Sequence, residues 1–135
     1  MPCAAAAEAL RKLCPDLESW PQRWRYQDCD IAPGRALIEC FTPFLLYLLE
    51  QGLAMKTLQR HRDHLWMLGG EIIARLHQEP SLRGKSIKTI ILQVIDNECG
   101  PLIWPRISEQ QQNSLDATCR KLYQFLTASP KLAAQ

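Results

Sequence analysis

The strongest constraint on the fold is the spacing of apolar side chains between Met55 and Glu79. Leucine and isoleucine recur there at positions that a helix brings to one side, namely Leu58, Leu65, Leu68, Ile72 and Leu76. Because an α-helix turns once in 3.6 residues, this spacing predicts a long amphipathic helix with polar residues on its other face. Gly69-Gly70 interrupts the pattern, which predicts a kink, a split or a closely approaching neighbour.

Local start and stop signals predict further helices before this segment. The Ala- and Leu-rich stretch from Ala4 to Leu13 favours a short helix that ends before Pro15. Helical signals resume at Arg35, and Thr42-Pro43 has the form of an N-cap followed by proline at the first helical position. We therefore expect a new helix from Pro43 to Gln51, which Gly52 ends.

Two more helices are predicted in the C-terminal half. Ser86 is placed to cap a helix from Ile87 to about Glu98, which Gly100-Pro101 closes. Ser108 and Gln111 have the spacing of a capping box that opens the last helix, which should run to about Ala128.

These elements predict an all-α fold, a compact bundle of about five helices with an irregular, aromatic-rich N-terminal connection. At 135 residues the chain has the usual size of one domain. We expect one helical domain over 1–135: a short helix plus an extended connection in 1–33, the helical core in 34–128 and a frayed tail in 129–135.

Composition and termini favour a soluble cytoplasmic protein without a membrane span. The apolar run Phe41–Leu49 is much shorter than the ~20 residues that cross a bilayer, and the first residues lack the features of a secretion signal. The six cysteines are therefore expected to be free thiols, and they are Cys3, Cys14, Cys29, Cys40, Cys99 and Cys119. Cys40 and Cys119 fall at helical core positions.

The net charge is only +2, but basic residues concentrate between Gly52 and Val94, where seven lysines and arginines face three acidic residues. Clustered lysines and arginines can neutralise the phosphates of DNA. The alternative interpretation is a solvent-exposed polar face that only keeps the protein soluble. The candidate phosphate contacts are Lys56, Arg60, Arg62, Arg83, Lys85 and Lys88.

No catalytic motif is evident, so we expect a protein that is not an enzyme and holds no cofactor. The sequence contains neither a nucleophile elbow nor a glycine-rich phosphate loop. His61 and His64 lie three residues apart on one helix face, a spacing that suits two metal ligands, but no third ligand is evident nearby. We therefore expect no bound metal. A third and less favoured hypothesis is a metal or thiol enzyme built on His61, His64 and a cysteine.

Three tryptophans, Trp20, Trp24 and Trp104, lie in the predicted connections. They either cover the core or form an aromatic patch that binds a partner. The second reading gives an alternative function, a protein-interaction or inhibitor module that pairs with another protein or with a second copy of itself.

The segment from Phe44 to Leu65, FLLYLLEQGLAMKTLQRHRDHL, resembles the SAM-like core-binding domain of tyrosine recombinases and phage integrases. In that family a helix ends in a Gly-Leu-Ser type turn, and Lys-Thr then opens a long basic helix; here Ala54 stands in place of the serine. The resemblance implies a bundle of four or five helices that clamps duplex DNA, with Lys56, Thr57 and Arg60 facing the backbone. Because the 135 residues include nothing like the catalytic domain, we expect an accessory DNA-binding module of a mobile element and no strand cleavage.

Overall fold

The computed structural model describes residues 4–128 and confirms the all-α fold class. Six α-helices and three short 3₁₀ turns account for the regular structure in this range, which contains no strand. The helices are α1 (Ala4–Leu13), α2 (Trp20–Trp24), α3 (Ile31–Glu50), α4 (Met55–Gln78), α5 (Ile87–Val94) and α6 (Glu109–Leu126). The tail expected to fray, 129–135, lies outside the described residues.

Several predicted boundaries are confirmed by the caps that form them. The Ser86 hydroxyl accepts a hydrogen bond from the Thr89 amide at 3.2 Å, and Ser108 forms the full capping box with Gln111. Gly52 has a φ of 69°, the left-handed conformation that closes α3. The predicted end of α5 at about Glu98 is wrong, since the helix stops at Val94. The Asp96 carboxylate then accepts hydrogen bonds from the amides of Glu98 and Cys99 in a tight turn.

The predicted break at Thr42-Pro43 is wrong, since α3 runs unbroken from Ile31 to Glu50. Pro43 cannot donate to the carbonyl of Glu39, but it lies on the exposed side of the helix. The Thr42 hydroxyl donates to the Ile38 carbonyl at 2.8 Å instead of capping a new helix. Phe41, Phe44, Leu45 and Leu48 are fully buried, so core packing keeps the helix continuous.

By length and composition alone, the segment Asp28–Glu50 that contains α3 could cross a membrane. A long apolar helix at the centre of a folded core meets the same criteria of length and composition. Within residues 4–128, α3 packs against α1, α2, α4 and α5. Its fully buried side chains are Leu37, Phe41, Phe44, Leu45 and Leu48.

Helix α4 is also continuous, and the Gly69-Gly70 pair marks a close approach rather than a break. A Cβ at Gly69 would overlap with the indole ring of Trp24, whereas a Cβ at Gly70 would meet the same ring only at 3.7 Å. Trp24 donates from Nε1 to the Trp66 carbonyl at 3.0 Å. The glycine at 69 therefore makes room for an aromatic side chain from α2.

The segment expected to be an extended connection, 15–33, is largely helical. It contains α2, the start of α3 and two 3₁₀ turns, and it buries Trp20 and Trp24 in the core. The expectation failed because turns of three to five residues are too short to show a period, and tertiary packing supplies their stability.

The loop between α5 and α6 is held by one buried amide, Gln112. Its Oε1 accepts from the amides of Ile103 and Trp104 at 2.8 and 2.9 Å, and its Nε2 donates to the Pro101 carbonyl and to Asp116. All hydrogen-bonding atoms of the side-chain amide thus have partners, which fixes the loop on the first turns of α6.

Candidate functional site

The predicted DNA contacts fall into two groups at opposite ends of α4. Lys56, Thr57 and Arg60 occupy its first two turns, where both cations are exposed and Thr57 is half-buried. Lys85 and Lys88 are also exposed but follow the other end of the helix. A helix of 24 residues is about 36 Å long. Lys85 comes two residues after Arg83, which contacts His77 in the last turn of α4, so Lys85 lies near the end of α4 opposite to Lys56 and Arg60.

Two of the predicted contacts, Arg62 and Arg83, hold the fold together. Arg62 donates from Nη1 to the Leu13 carbonyl at 2.9 Å and from Nε to Asp63 at 2.9 Å. Arg83 donates from Nη2 to the buried carboxylate of Asp30 at 2.8 Å. Their guanidinium groups are committed to tertiary contacts, which sequence spacing does not reveal.

Asp30 is the centre of a buried polar network that joins the start of α3 to the end of α4. It is 0% exposed and accepts hydrogen bonds from His77 and from the amides of Tyr26 and Gln27 in addition to Arg83. Burial by itself raises the pKa of this carboxyl, but the hydrogen bonds outweigh burial and hold the pKa well below its usual range. The network is satisfied internally, so we assign it to stability.

The structure adds one cation to the N-terminal group, Lys121 of α6. Thr118, one helical turn before Lys121, hydrogen-bonds His61, which directly follows Arg60, so Lys121 and Arg60 both lie at this contact between α4 and α6. Burial lowers the pKa of His61, and the charges of Lys121 and Arg60 lower it further. Lys56 lies one helical turn before Arg60. All three are exposed, and none has an ion-pair partner among residues 4–128. We refer to Lys56, Arg60 and Lys121 as the α4–α6 cation cluster.

His61 and His64 are buried beneath this cluster and share one hydroxyl. Their Nδ1 atoms lie 2.7 and 2.6 Å from Thr118 Oγ1. Because the hydroxyl has one proton, it donates to one ring and accepts from the other, so the two neutral rings take opposite tautomers. Burial lowers the pKa of both, that of His61 to about 4. No group of three metal-ligating side chains comes together in the described part of the chain.

The three tryptophans proposed as a partner patch do not form one exposed surface. Trp20 and Trp24 are 2% and 6% exposed, so no partner can reach them, and that part of the expectation is corrected. Trp104 is 52% exposed, and Leu102 beside it is 73% exposed. Two exposed apolar side chains thus lie close together on the loop that Gln112 holds.

An open groove that the sequence analysis missed lies between α2, α4 and the α5–α6 loop. Its volume is about 390 Å³, and its lining includes three arginines and three aromatic rings. These are Arg23, Arg25, Arg106, Trp24, Tyr26 and Trp66. The signal available in the sequence was the alternation Arg23-Trp24-Arg25-Tyr26, in which basic and aromatic residues interleave. We refer to this feature as the arginine groove.

The buried thiols do not have the character of nucleophiles. Burial, together with nearby carboxylates, raises the pKa of Cys14 and Cys119 to about 12. Both therefore stay protonated near neutral pH, whereas an attacking sulfur must be a thiolate.

Comparisons of the chain with protein-family models, with curated protein sequences and with solved structures find no match. The function must accordingly be argued from the surfaces described above.

Proposed function

We propose that the protein is a helical DNA-binding module without enzymatic activity, and that it contacts duplex phosphates through the α4–α6 cation cluster. The observation that carries the proposal is that Lys56, Arg60 and Lys121 are exposed, have no ion-pair partner among residues 4–128 and occupy two helices that pack together at His61 and Thr118. Cations free of internal partners are available to displace the counterions of DNA. An accessory protein of a mobile element is the setting that the resemblance of residues 44–65 suggests.

The buried groups beneath the cluster support this use of the surface. His61 and His64 are held neutral, so they neither add to nor compete with the charges above them near pH 7. The rings also fix α4 against α6 through Thr118. The cations from the two helices therefore stand on a rigid base, which reduces the entropy lost on binding.

The size of the cluster sets the expected salt dependence. Three phosphate contacts give a slope of log K against log salt of about −2.7, so affinity should fall roughly 40-fold between about 50 and 200 mM salt. Binding of this size is weak and independent of sequence, because phosphate contacts carry no base readout.

The test is fluorescence anisotropy of a labelled blunt duplex across a salt series. We expect the variant Lys56→Ala/Arg60→Ala/Lys121→Ala to lose most of the affinity and most of the slope. Lys85→Ala/Lys88→Ala is the control, since these exposed lysines belong to α5 and the turn before it and not to the cation cluster. The proposal is wrong if the wild-type protein does not bind at low salt, or if the triple variant binds as the wild type does.

A second candidate function, binding of a protein or of a second copy of the chain, rests on the loop that exposes Leu102 and Trp104. Tryptophan is enriched at the centres of interfaces, and a preformed loop loses little entropy on binding. Sedimentation velocity over a concentration series should show an assembly that Trp104→Ser abolishes and Met55→Ser, at another exposed apolar residue, leaves intact. A monomer at every concentration that also captures no partner in nuclease-treated extract would exclude this candidate.

A further inference from the structure

The arginine groove lies on the same face of α4 as the cation cluster. Lys56, Arg60, Met67, Gly70 and Ala74 follow one another at intervals of four, seven, three and four residues, which places them along one side of the helix. The last three line the groove. At 1.5 Å per residue, Gly70 lies about 15 Å beyond Arg60. Asp63 lies on the same side between Arg60 and Met67 and is paired with Arg62, so phosphates that continue from the cluster into the groove pass a neutralised carboxylate.

The groove contains a flat platform built from Arg23 and Trp66. The guanidinium carbon of Arg23 lies 4.5 Å from the centre of the Trp66 ring, and the Arg23 side chain is 53% exposed. Trp66 is itself stacked on Trp24, with ring centres 5.6 Å apart. Stacked layers of this kind present a planar, positively charged surface on which a further planar group can stack.

The groove offers an anion three exchangeable arginines rather than an excess of positive charge. The lining holds these arginines and Glu71, and with the partners Asp16 and Asp28 the formal charge is 3 − 3 = 0. Each arginine bonds a carboxylate: Arg23 with Asp16, Arg25 with Asp28, and Arg106 with Glu71. Exposed ion pairs contribute little to stability, and a guanidinium has five donors, so phosphate can join or replace these carboxylates at small cost.

We propose that the arginine groove binds an unpaired nucleotide of a nucleic acid, with its base stacked on the Arg23–Trp66 platform beside Tyr26 and its phosphates held by Arg25 and Arg106. Tyr26 is 67% exposed and lines the same groove. A base on an aromatic or guanidinium surface is the usual basis of single-strand recognition. The inference deepens the proposed function, because it assigns a single-stranded extension of the bound DNA to a site of its own.

The test compares three labelled DNAs: a blunt duplex, the same duplex with a single-stranded tail, and the tail alone. We expect the tail to strengthen binding of the wild-type protein about tenfold. Arg23→Ala and Tyr26→Ala should each remove most of that gain without changing affinity for the blunt duplex. Arg23→Lys keeps the charge but cannot stack, so it should also lose the gain. Lys88→Ala is the control, and thermal melts establish that each variant is folded.

The outcomes separate the two proposals. If blunt and tailed duplexes bind equally well and the triple cluster variant weakens both, duplex binding stands and the groove inference is overturned. If only the single strand binds, the groove inference stands and the duplex proposal fails. A third outcome is that the tail gives no gain, whereas an acidic or phosphorylated peptide binds the protein without displacing it from DNA and loses this binding in Arg23→Ala. The groove then serves a protein partner, and the inference is wrong.

Discussion

Replacing each of the two adjacent glycines of α4 by alanine should change stability in opposite directions. At Gly70 a Cβ has room, with its nearest neighbour at 3.7 Å. Alanine there gains up to about 1 kcal/mol of helix propensity. At Gly69 a steric cost outweighs the same gain in helix propensity, because the Cβ would overlap with the Trp24 ring. That ring is 6% exposed and packed among core residues, so it has little room to move.

The magnitude at Gly69 follows from what Trp24 loses when it moves. Overpacking a core costs about 1–3 kcal/mol. Displacing the indole also weakens the hydrogen bond from Trp24 Nε1 to the Trp66 carbonyl, worth about 1 kcal/mol. After subtracting the propensity gain, Gly69→Ala should destabilise the protein by about 2 kcal/mol, so the two variants should differ by about 3 kcal/mol.

Urea unfolding followed by far-ultraviolet circular dichroism measures both free energies under the same conditions. Tryptophan fluorescence provides a second measurement, since only Gly69→Ala should shift the environment of Trp24. The reasoning is refuted if both alanines stabilise the helix equally, because Trp24 would then not occupy the space above Gly69.

The remaining predictions concern the buried polar groups, and urea unfolding at a series of pH values checks all of them. Thr118→Val should cost about 2 kcal/mol, since it leaves the Nδ1 atoms of His61 and His64 without a partner; a neutral outcome would contradict the shared hydroxyl. Folding lowers the pKa of His61 from 6.5 to about 4, so this residue should make stability decrease by about 3 kcal/mol as the pH drops from 6.5 to 4. His61→Asn should show a smaller decrease, and the part that remains comes from His64, whose pKa burial also lowers. Because the pKa of Asp30 lies below its ordinary value of 3.8, its contribution should be complete above pH 3.8 and lost as the pH falls further. Asp30→Asn should be less stable at neutral pH, and its free energy of unfolding should depend less on pH in acid. If the loss of stability in acid is the same as in the wild type, Asp30 is not its source.

Much of the helical framework could be predicted from local patterns. The spacing of Leu58, Leu65 and Ile72 is a property of one helix, and the caps at Ser86 and Ser108 involve partners three residues away. Such short-range signals do not depend on the tertiary fold. The continuous α3 was missed because Thr42-Pro43 carries a valid local start signal that packing of Phe41 and Phe44 overrides.

The surfaces could be predicted only in part, because the availability of a cation is a long-range property. Arg62 is occupied by a carbonyl 49 residues away, and Arg83 by a carboxylate 53 residues away. Lys121 joins Lys56 and Arg60 only because α6 packs beside α4. Counting basic residues along the chain therefore identified candidates but could not separate those that hold the fold from those that remain free.

Trp66 connects the stability of the core to the shape of the arginine groove. Its carbonyl accepts from Trp24, its ring stacks on Trp24, and Arg23 covers its other side. Since Gly69 fixes the position of Trp24, the platform is set by core packing before any ligand arrives, and little ordering remains to be done on binding. A core substitution such as Gly69→Ala should consequently weaken recognition of a single-stranded tail as well as stability, whereas Arg23→Ala should weaken recognition alone.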